Sequence, residues 1–242
     1  MVSSFSFLKK FRIAIYADGA NFKSIINLNK KNYIKGFTTN PTLMRMSGVT
    51  NYKNFCKNLV KKIKKKPISF EVFSDFPEDI KLQVKKISSF GKNVYVKIPI
   101  QNTKGVDMSE LIIGLNKQKI KINVTAVFTF TQVKKIIDKI NNNTEIIISV
   151  FAGRIADTGI DPEIIIKKII QYSKMKKNIK ILWASSREIF NLYQAENCGC
   201  HIITLSEDLI QKLIYYKKDL KNFSKETALM FYNDAKKSGF QI

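Results

Sequence analysis

The chain has 242 residues and a mass of 27.8 kDa, long enough to bury one sizeable core and too long to depend on disulfide staples. Hydrophobic residues at 45%, charged residues at 25%, and only 5 Pro and 10 Gly exclude the disordered and fibrous classes. Lys and Arg number 42 against 19 Asp and Glu, a formal net charge of +23 that favours anionic partners. All but four of the basic residues are Lys, scattered without interleaved aromatics, so a solvated Lys-rich surface is the plainer reading and nucleic-acid binding the lesser one. Cys56, Cys198 and Cys200 match no zinc spacing and cannot pair completely, which points to a reducing cytoplasm. The first ten residues carry their lysines after the apolar stretch, the wrong order for a secretory leader, and no apolar run is long enough to span a membrane.

Along the chain one unit repeats: a short β-branched or aromatic run, a polar turn, then a longer Lys-rich amphipathic stretch. The runs fall at residues 12–18 (RIAIYAD), 34–40 (IKGFTTN), 68–73 (ISFEVF), 94–100 (VYVKIPI), 122–128 (INVTAVF), 145–151 (EIIISVF), 180–185 (KILWAS) and 201–206 (HIITLS). Eight strands alternating with helices predict parallel pairing through right-handed crossovers, the count that closes a (β/α)8 TIM barrel. The second connection, residues 41–66, has room for two short helices. After the eighth run, residues 209–216 and 225–239 predict additional C-terminal helices, with Ser224 as an N-cap and Gly239 at the C-terminal end. No linker or composition shift interrupts residues 1–242, so the expectation is a single α/β domain with its barrel over about residues 12–215. A doubly wound open sheet is the rival. No Gly-rich phosphate fingerprint follows the first run, and polar groups gather where the runs end, on the face where a barrel carries its active site.

Alternation along each strand assigns the interior. Lys97 shares a face with Tyr95 and Pro99, so an amine points into the barrel. By the same alternation Asp18 ends the first run, Asn40 the second, and Glu71 lies inside the third; Asn123 and Thr125 share a face on the fifth, Ser149 lies late on the sixth, and Ser185 ends the seventh. A buried ammonium is costly, and a free amine attacks carbonyls, so Lys97 flanked by acid/base groups is the chemistry of a Schiff-base aldolase. Structural pairing of Lys97 with Glu71 is the alternative. Of the four arginines, Arg154 and Arg187 follow the sixth and seventh runs, where a planar guanidinium suits bidentate phosphate binding. The lone His201 begins a strand at the opposite end and is read as structural.

At these residues the sequence resembles the transaldolase family, including the fructose-6-phosphate aldolases. The resemblance rests on YADGAN (residues 16–21), GFTTNPTL (36–43), ISFEVF (68–73), VYVKIPI (94–100), INVTAVFTFTQV (122–133), SVFAGRIAD (149–157), WASSRE (183–188) and GCHIITL (199–205), in order over about residues 12–215. It implies that Lys97 is the Schiff-base lysine, Asp18 the acid/base group acting on the C4 hydroxyl, and Glu71 the holder of a proton-relaying water. Asn40, Asn123, Thr125 and Ser149 would position sugar hydroxyls and that water, and Arg154, Arg187 and Ser185 would bind phosphate. Glu71 and Phe151 are the transferase choices; plain aldolases of the family typically carry Gln and Tyr there. The chain departs from the family pattern at Val150, at Ser186 and in the loop 101–105.

The resemblance therefore implies sugar-phosphate substrates and a transferase moving a dihydroxyacetone unit. An aldolase releasing free dihydroxyacetone is the second reading, and a non-catalytic basic barrel that binds nucleic acid is the third. No cofactor or metal is implied, because the imine is its own electron sink and no ligand cluster is present. A cytoplasmic protein without a membrane partner is expected, and a homo-oligomer is left open.

Overall fold

The computed structural model describes residues 6–141 and 144–241; residues 1–5, on which part of the leader argument rests, lie outside the described residues. Eight parallel strands close on themselves in chain order: β1 (Ala14–Asp18), β2 (Ile34–Thr38), β3 (Ile68–Glu71), β4 (Val94–Pro99), β5 (Ile122–Val127), β6 (Ile146–Val150), β7 (Ile179–Trp183) and β8 (Ile202–Ser206). Between them run α1 (Phe22–Asn29), α2 (Pro41–Met46), α3 (Tyr52–Lys62), α4 (Pro77–Ser88), α5 (Ser109–Lys117), α6 (Phe130–Lys139), α7 (Ala152–Ala156), α8 (Pro162–Ser173) and α9 (Phe190–Cys198). After β8 come α10 (Glu207–Lys212) and α11 (Leu220–Ser238). This is the expected (β/α)8 barrel with C-terminal helices, and the connection after β2 holds the two expected short helices. No helix among the described residues is long and apolar enough to cross a membrane.

Short polar side chains punctuate the helices. Asn21, Asn40, Asn51, Asp161, Ser206 and Asp219 each accept a backbone N–H of the turn they open, and Thr129 with Gln132 completes a capping box before α6. Two expected boundaries move for this reason. Asn40 belongs to the start of α2 rather than to its strand, and α11 starts at Asp219, which leaves Ser224 inside the helix. Gly239 does end α11, in the left-handed conformation that Gly tolerates best. α11 buries none of its residues, and Leu220, Met230 and Phe231 stand exposed along it.

The alternation holds in β4: Val94, Val96 and Ile98 join the large cluster between barrel and helices, whereas Tyr95 joins a smaller interior cluster with Tyr16, Ile147, Leu182, Ala184 and Ile202. It breaks in β5. Ala126 has φ +54°, the β5–β6 register slips between Val124 and Val127, and Val127 is turned outward into the helix layer. His201 lies at the strand-start end, where its Nδ1 accepts the Ile181 N–H at 3.1 Å, a structural bond as expected.

Inside the barrel Tyr16 lies across from Gly36, and a Cβ built there would meet the tyrosine ring at 2.5 Å. Gly36→Ala is therefore expected to cost about 1–3 kcal/mol by overpacking. Gly114, a helical glycine with nothing near its missing Cβ, should gain about 0.5–1 kcal/mol on the same change. Urea unfolding of the two variants beside the parent checks both signs.

Candidate active site

Register brings three polar side chains together before any loop is considered. Glu71 on β3 pairs with Lys97 on β4, and Lys97 with Asn123 on β5. Lys97 Nζ lies 2.9 Å from Glu71 Oε2 and donates to the Thr39 carbonyl at 2.8 Å. At 5% exposure Lys97 is the only buried lysine among the described residues. The ion pair weighed as a structural alternative thus forms, and it forms on the wall of a cavity of about 610 Å³ at the C-terminal ends of the strands.

Every site residue expected from the sequence lines that cavity except Asn123. Asn123 is fully buried, and its amide donates to Ser69 Oγ at 3.1 Å and accepts from Ser149 Oγ at 2.7 Å. It holds Ser149 rather than facing the opening. Thr125 Oγ1 is buried without a hydrogen-bond partner on the cavity wall. Asn40 both caps α2, accepting the Leu43 N–H at 2.9 Å, and borders the cavity. Phe151 follows β6 directly as the N-cap of α7, and its ring lies 5.7 Å from that of Phe128.

Asp18 ends β1 opposite Thr38. Thr38 Oγ1 donates to Asp18 Oδ1 at 2.6 Å and lies 2.7 Å from Thr204 Oγ1 of β8. Burial raises the Asp18 pKa above the ordinary carboxyl value, while the Lys97 charge and the Thr38 hydrogen bond pull the other way. Thr38 and Thr204 are cavity residues the sequence analysis does not single out. Their signal is parity, since Thr38 lies two before Asn40 and Thr204 two after the inward Ile202.

The two arginines reach the mouth by different routes. Arg154 sits on α7, with its guanidinium 5.4 Å from the centre of the Phe151 ring. Arg187 lies in the loop after β7, which ends at Trp183, so Ser185 is a loop residue and not the strand end expected of it. Ser185 adopts φ +63°, which turns its carbonyl onto Gly153; a Cβ there would come within 1.6 Å of that oxygen. Only glycine allows this approach of the two loops. Arg187 donates through its backbone N–H to Asn191 Oδ1 at 2.7 Å, and its side chain pairs with Asp157, a residue no sequence argument marked. Ser186 Oγ, at one of the departures from the family pattern, donates to the Thr204 carbonyl at 3.0 Å.

Comparison with known proteins identifies the family. A family model described as Transaldolase/Fructose-6-phosphate aldolase matches residues 15–241. A probable transaldolase of Thermoanaerobacter sp. (strain X514) is 30% identical over 230 residues, covering 94% of this chain and 99% of the relative. One from Nitrosopumilus maritimus (strain SCM1) is 30% identical over 217 residues, 88% of this chain and 93% of the relative. One from Dehalococcoides mccartyi is 27% identical over 203 residues, 84% and 90%. The chain belongs to the transaldolase/fructose-6-phosphate aldolase family, an aldolase-type enzyme family.

The raised Asp18 pKa has a stability consequence. The folded state holds this proton to higher pH than the unfolded chain does, so stability is lost as pH rises from the unfolded carboxyl value, 3.8, through the raised folded one. Asp18→Asn, which keeps an acceptor for Thr38, should raise stability at neutral pH by about 0.5–2 kcal/mol. That gain should shrink as pH falls to the unfolded value; urea midpoints at two pH values check it.

Proposed function

We propose that this family member is a Schiff-base transferase that moves a dihydroxyacetone unit from a ketose phosphate to an aldehyde phosphate, with Lys97 as the covalent residue. The observation that carries the reading is the one buried lysine, 2.9 Å from a carboxylate on the wall of the large C-terminal cavity. Glu71 is placed to take a proton from Nζ, leaving an amine whose lone pair attacks the ketose carbonyl. Loss of water from the carbinolamine gives the imine, with Glu71 and the unpartnered Thr125 hydroxyl holding the water that relays the protons. Asp18 then removes the C4-hydroxyl proton. The C3–C4 bond breaks, its electron pair passes into the imine to give an enamine, and the aldehyde leaves. In the reverse sense the enamine attacks an acceptor aldehyde, Asp18 returns the proton to the new alkoxide, and water adds to the resulting imine to release the product ketose and the Lys97 amine. Asn40 and Ser149, the latter held by Asn123, orient the hydroxyls, while Arg154, Arg187 and Ser185 take the phosphate. Three free cysteines support a cytoplasmic setting.

Phe151 favours transfer over release of free ketone. Discharge of the enamine as dihydroxyacetone requires a proton delivered to carbon, and the phenyl ring packed against Phe128 beneath Arg154 offers none.

Incubation with fructose 6-phosphate and borohydride should add a three-carbon unit at Lys97, read by peptide mass spectrometry, and Lys97→Ala should abolish it. An adduct at a different lysine, or none with any ketose donor, contradicts the assignment. The parent should release dihydroxyacetone slowly when no acceptor is present. Phe151→Tyr should speed that release by on the order of 10²-fold, and rapid release by the parent supports the aldolase reading instead.

A further inference from the structure

Asp157, the residue directly after α7, has no part in the chemistry above, yet it pairs with Arg187 at the mouth. Arg187 Nε donates to Asp157 Oδ1 at 3.3 Å and Arg187 Nη2 to Oδ2. Arg154, three residues earlier in the same turn, adds its charge; the Arg187 hydrogen bond first and the two guanidinium charges with it hold the Asp157 carboxyl below its ordinary range. The carboxylate grips the Nε–Nη2 edge of Arg187, one of the edges a phosphate uses for a bidentate contact.

We infer that Asp157 is an internal counter-anion, which occupies Arg187 while the site holds no phosphate, yields it when a phosphorylated substrate binds, and so sets how strongly the enzyme favours phosphorylated substrates. This rests on the reading of Arg154 and Arg187 as the phosphate site. Two observations support displacement. Both side chains of the pair are 52% exposed, a setting in which an ion pair holds weakly and opens readily. Asp157 also lies at the end of a single helical turn and is followed by Thr158 and Gly159, the latter at φ +80°, so its side chain can swing outward without disturbing a strand.

A purely structural role for the pair is the competing explanation, and the backbone argues against it. The Arg187 main chain is already fixed by the Asn191 side chain and by the apposition of Ser185 on Gly153. Asp157 is therefore not needed to place the loop, and what it contributes is negative charge beside the anion site. Its removal should strengthen anion binding, whereas loss of a structural strut should weaken it.

The test is calorimetric titration of inorganic phosphate, at fixed ionic strength, into the parent, Asp157→Asn, Asp157→Ala and Arg187→Ala. Both Asp157 variants should bind phosphate roughly threefold to tenfold tighter than the parent, and Arg187→Ala should bind it far more weakly. In turnover, the KM for an aldehyde phosphate should fall by a similar factor relative to that for the unphosphorylated aldehyde. Equal or weaker phosphate binding by Asp157→Asn, with parent binding that depends on Arg187, overturns the counter-anion role alone. Parent binding that ignores Arg187→Ala removes the phosphate site itself, and the counter-anion role with it.

Discussion

An ammonium inside a barrel wall is the constraint around which the other features arrange themselves. Taking a charged lysine out of water is costly unless partners surround it, and a buried ion pair adds little stability compared with apolar side chains of similar size. Lys97 meets the cost with two partners, the Glu71 carboxylate from the adjacent β3 and the Thr39 carbonyl just past β2, one strand further round the barrel. Neither partner is free to move far. Glu71 is fixed by register, with its own carbonyl held by the Tyr52 hydroxyl at 2.7 Å, and Thr39 is anchored by its hydroxyl on the Ser69 carbonyl at 2.9 Å. The interior cluster of Tyr16, Tyr95, Ile147, Leu182, Ala184 and Ile202 shares the barrel interior with this polar group, and Leu182 and Ala184 reach the cavity wall, so apolar packing offsets the cost beside it.

Much of this was legible because a strand has a period of two. Once VYVKIPI is placed in a strand, Lys97 must share a face with Tyr95, and apolar Val94, Val96 and Ile98 choose which face looks toward the helices. Asp18, Glu71 and Ser149 follow by the same count. The failures fall where that count is broken by the backbone. The Ala126 bulge sends Val127 outward, and the left-handed Ser185 takes that residue off its strand; neither residue type announces such a conformation. Asn123 shares the interior with Thr125 as alternation predicts, but alternation reports direction and not whether a side chain reaches the opening. Asp157 escaped notice because a carboxylate after a short helix looks like any solvated surface charge until the β7 loop is folded against it. Ser224 failed for a simpler reason: Asp219 is an equally good cap and lies earlier, so the helix starts there.

The mouth shows a different division of labour from the interior. Inside, side chains hold one another through register; at the mouth, the backbone holds the side chains. Gly153 lets the Ser185 carbonyl approach, the Ala184 N–H donates to the Val150 carbonyl at 2.8 Å, and Asn191 fixes the Arg187 main chain. The guanidinium groups themselves reach into water, and that of Arg187 is paired there with Asp157. A site that must accept and release phosphorylated substrates gains from that arrangement, because the anchor points are rigid while the charged ends can re-pair.

The hydroxyl pair beside Asp18 suits the role proposed for that group, giving and taking the same proton. Thr38 has one hydroxyl hydrogen and two neighbours, Asp18 Oδ1 at 2.6 Å and Thr204 Oγ1 at 2.7 Å. With Asp18 ionised, Thr38 donates to the carboxylate and Thr204 must donate to Thr38. With Asp18 protonated, the sense of both bonds can reverse: the carboxyl donates to Thr38, and Thr38 donates to Thr204. Either protonation state is then satisfied by rotation of hydroxyl hydrogens, with no heavy atom displaced. Burial raises the Asp18 pKa above its ordinary value, and the hydroxyls make the exchange inexpensive in structure. A carboxylate gripped by fixed backbone N–H donors could not behave this way, since such donors stabilise only the charged form. The acid/base role proposed for Asp18 thus depends as much on Thr38 and Thr204 as on the carboxyl itself.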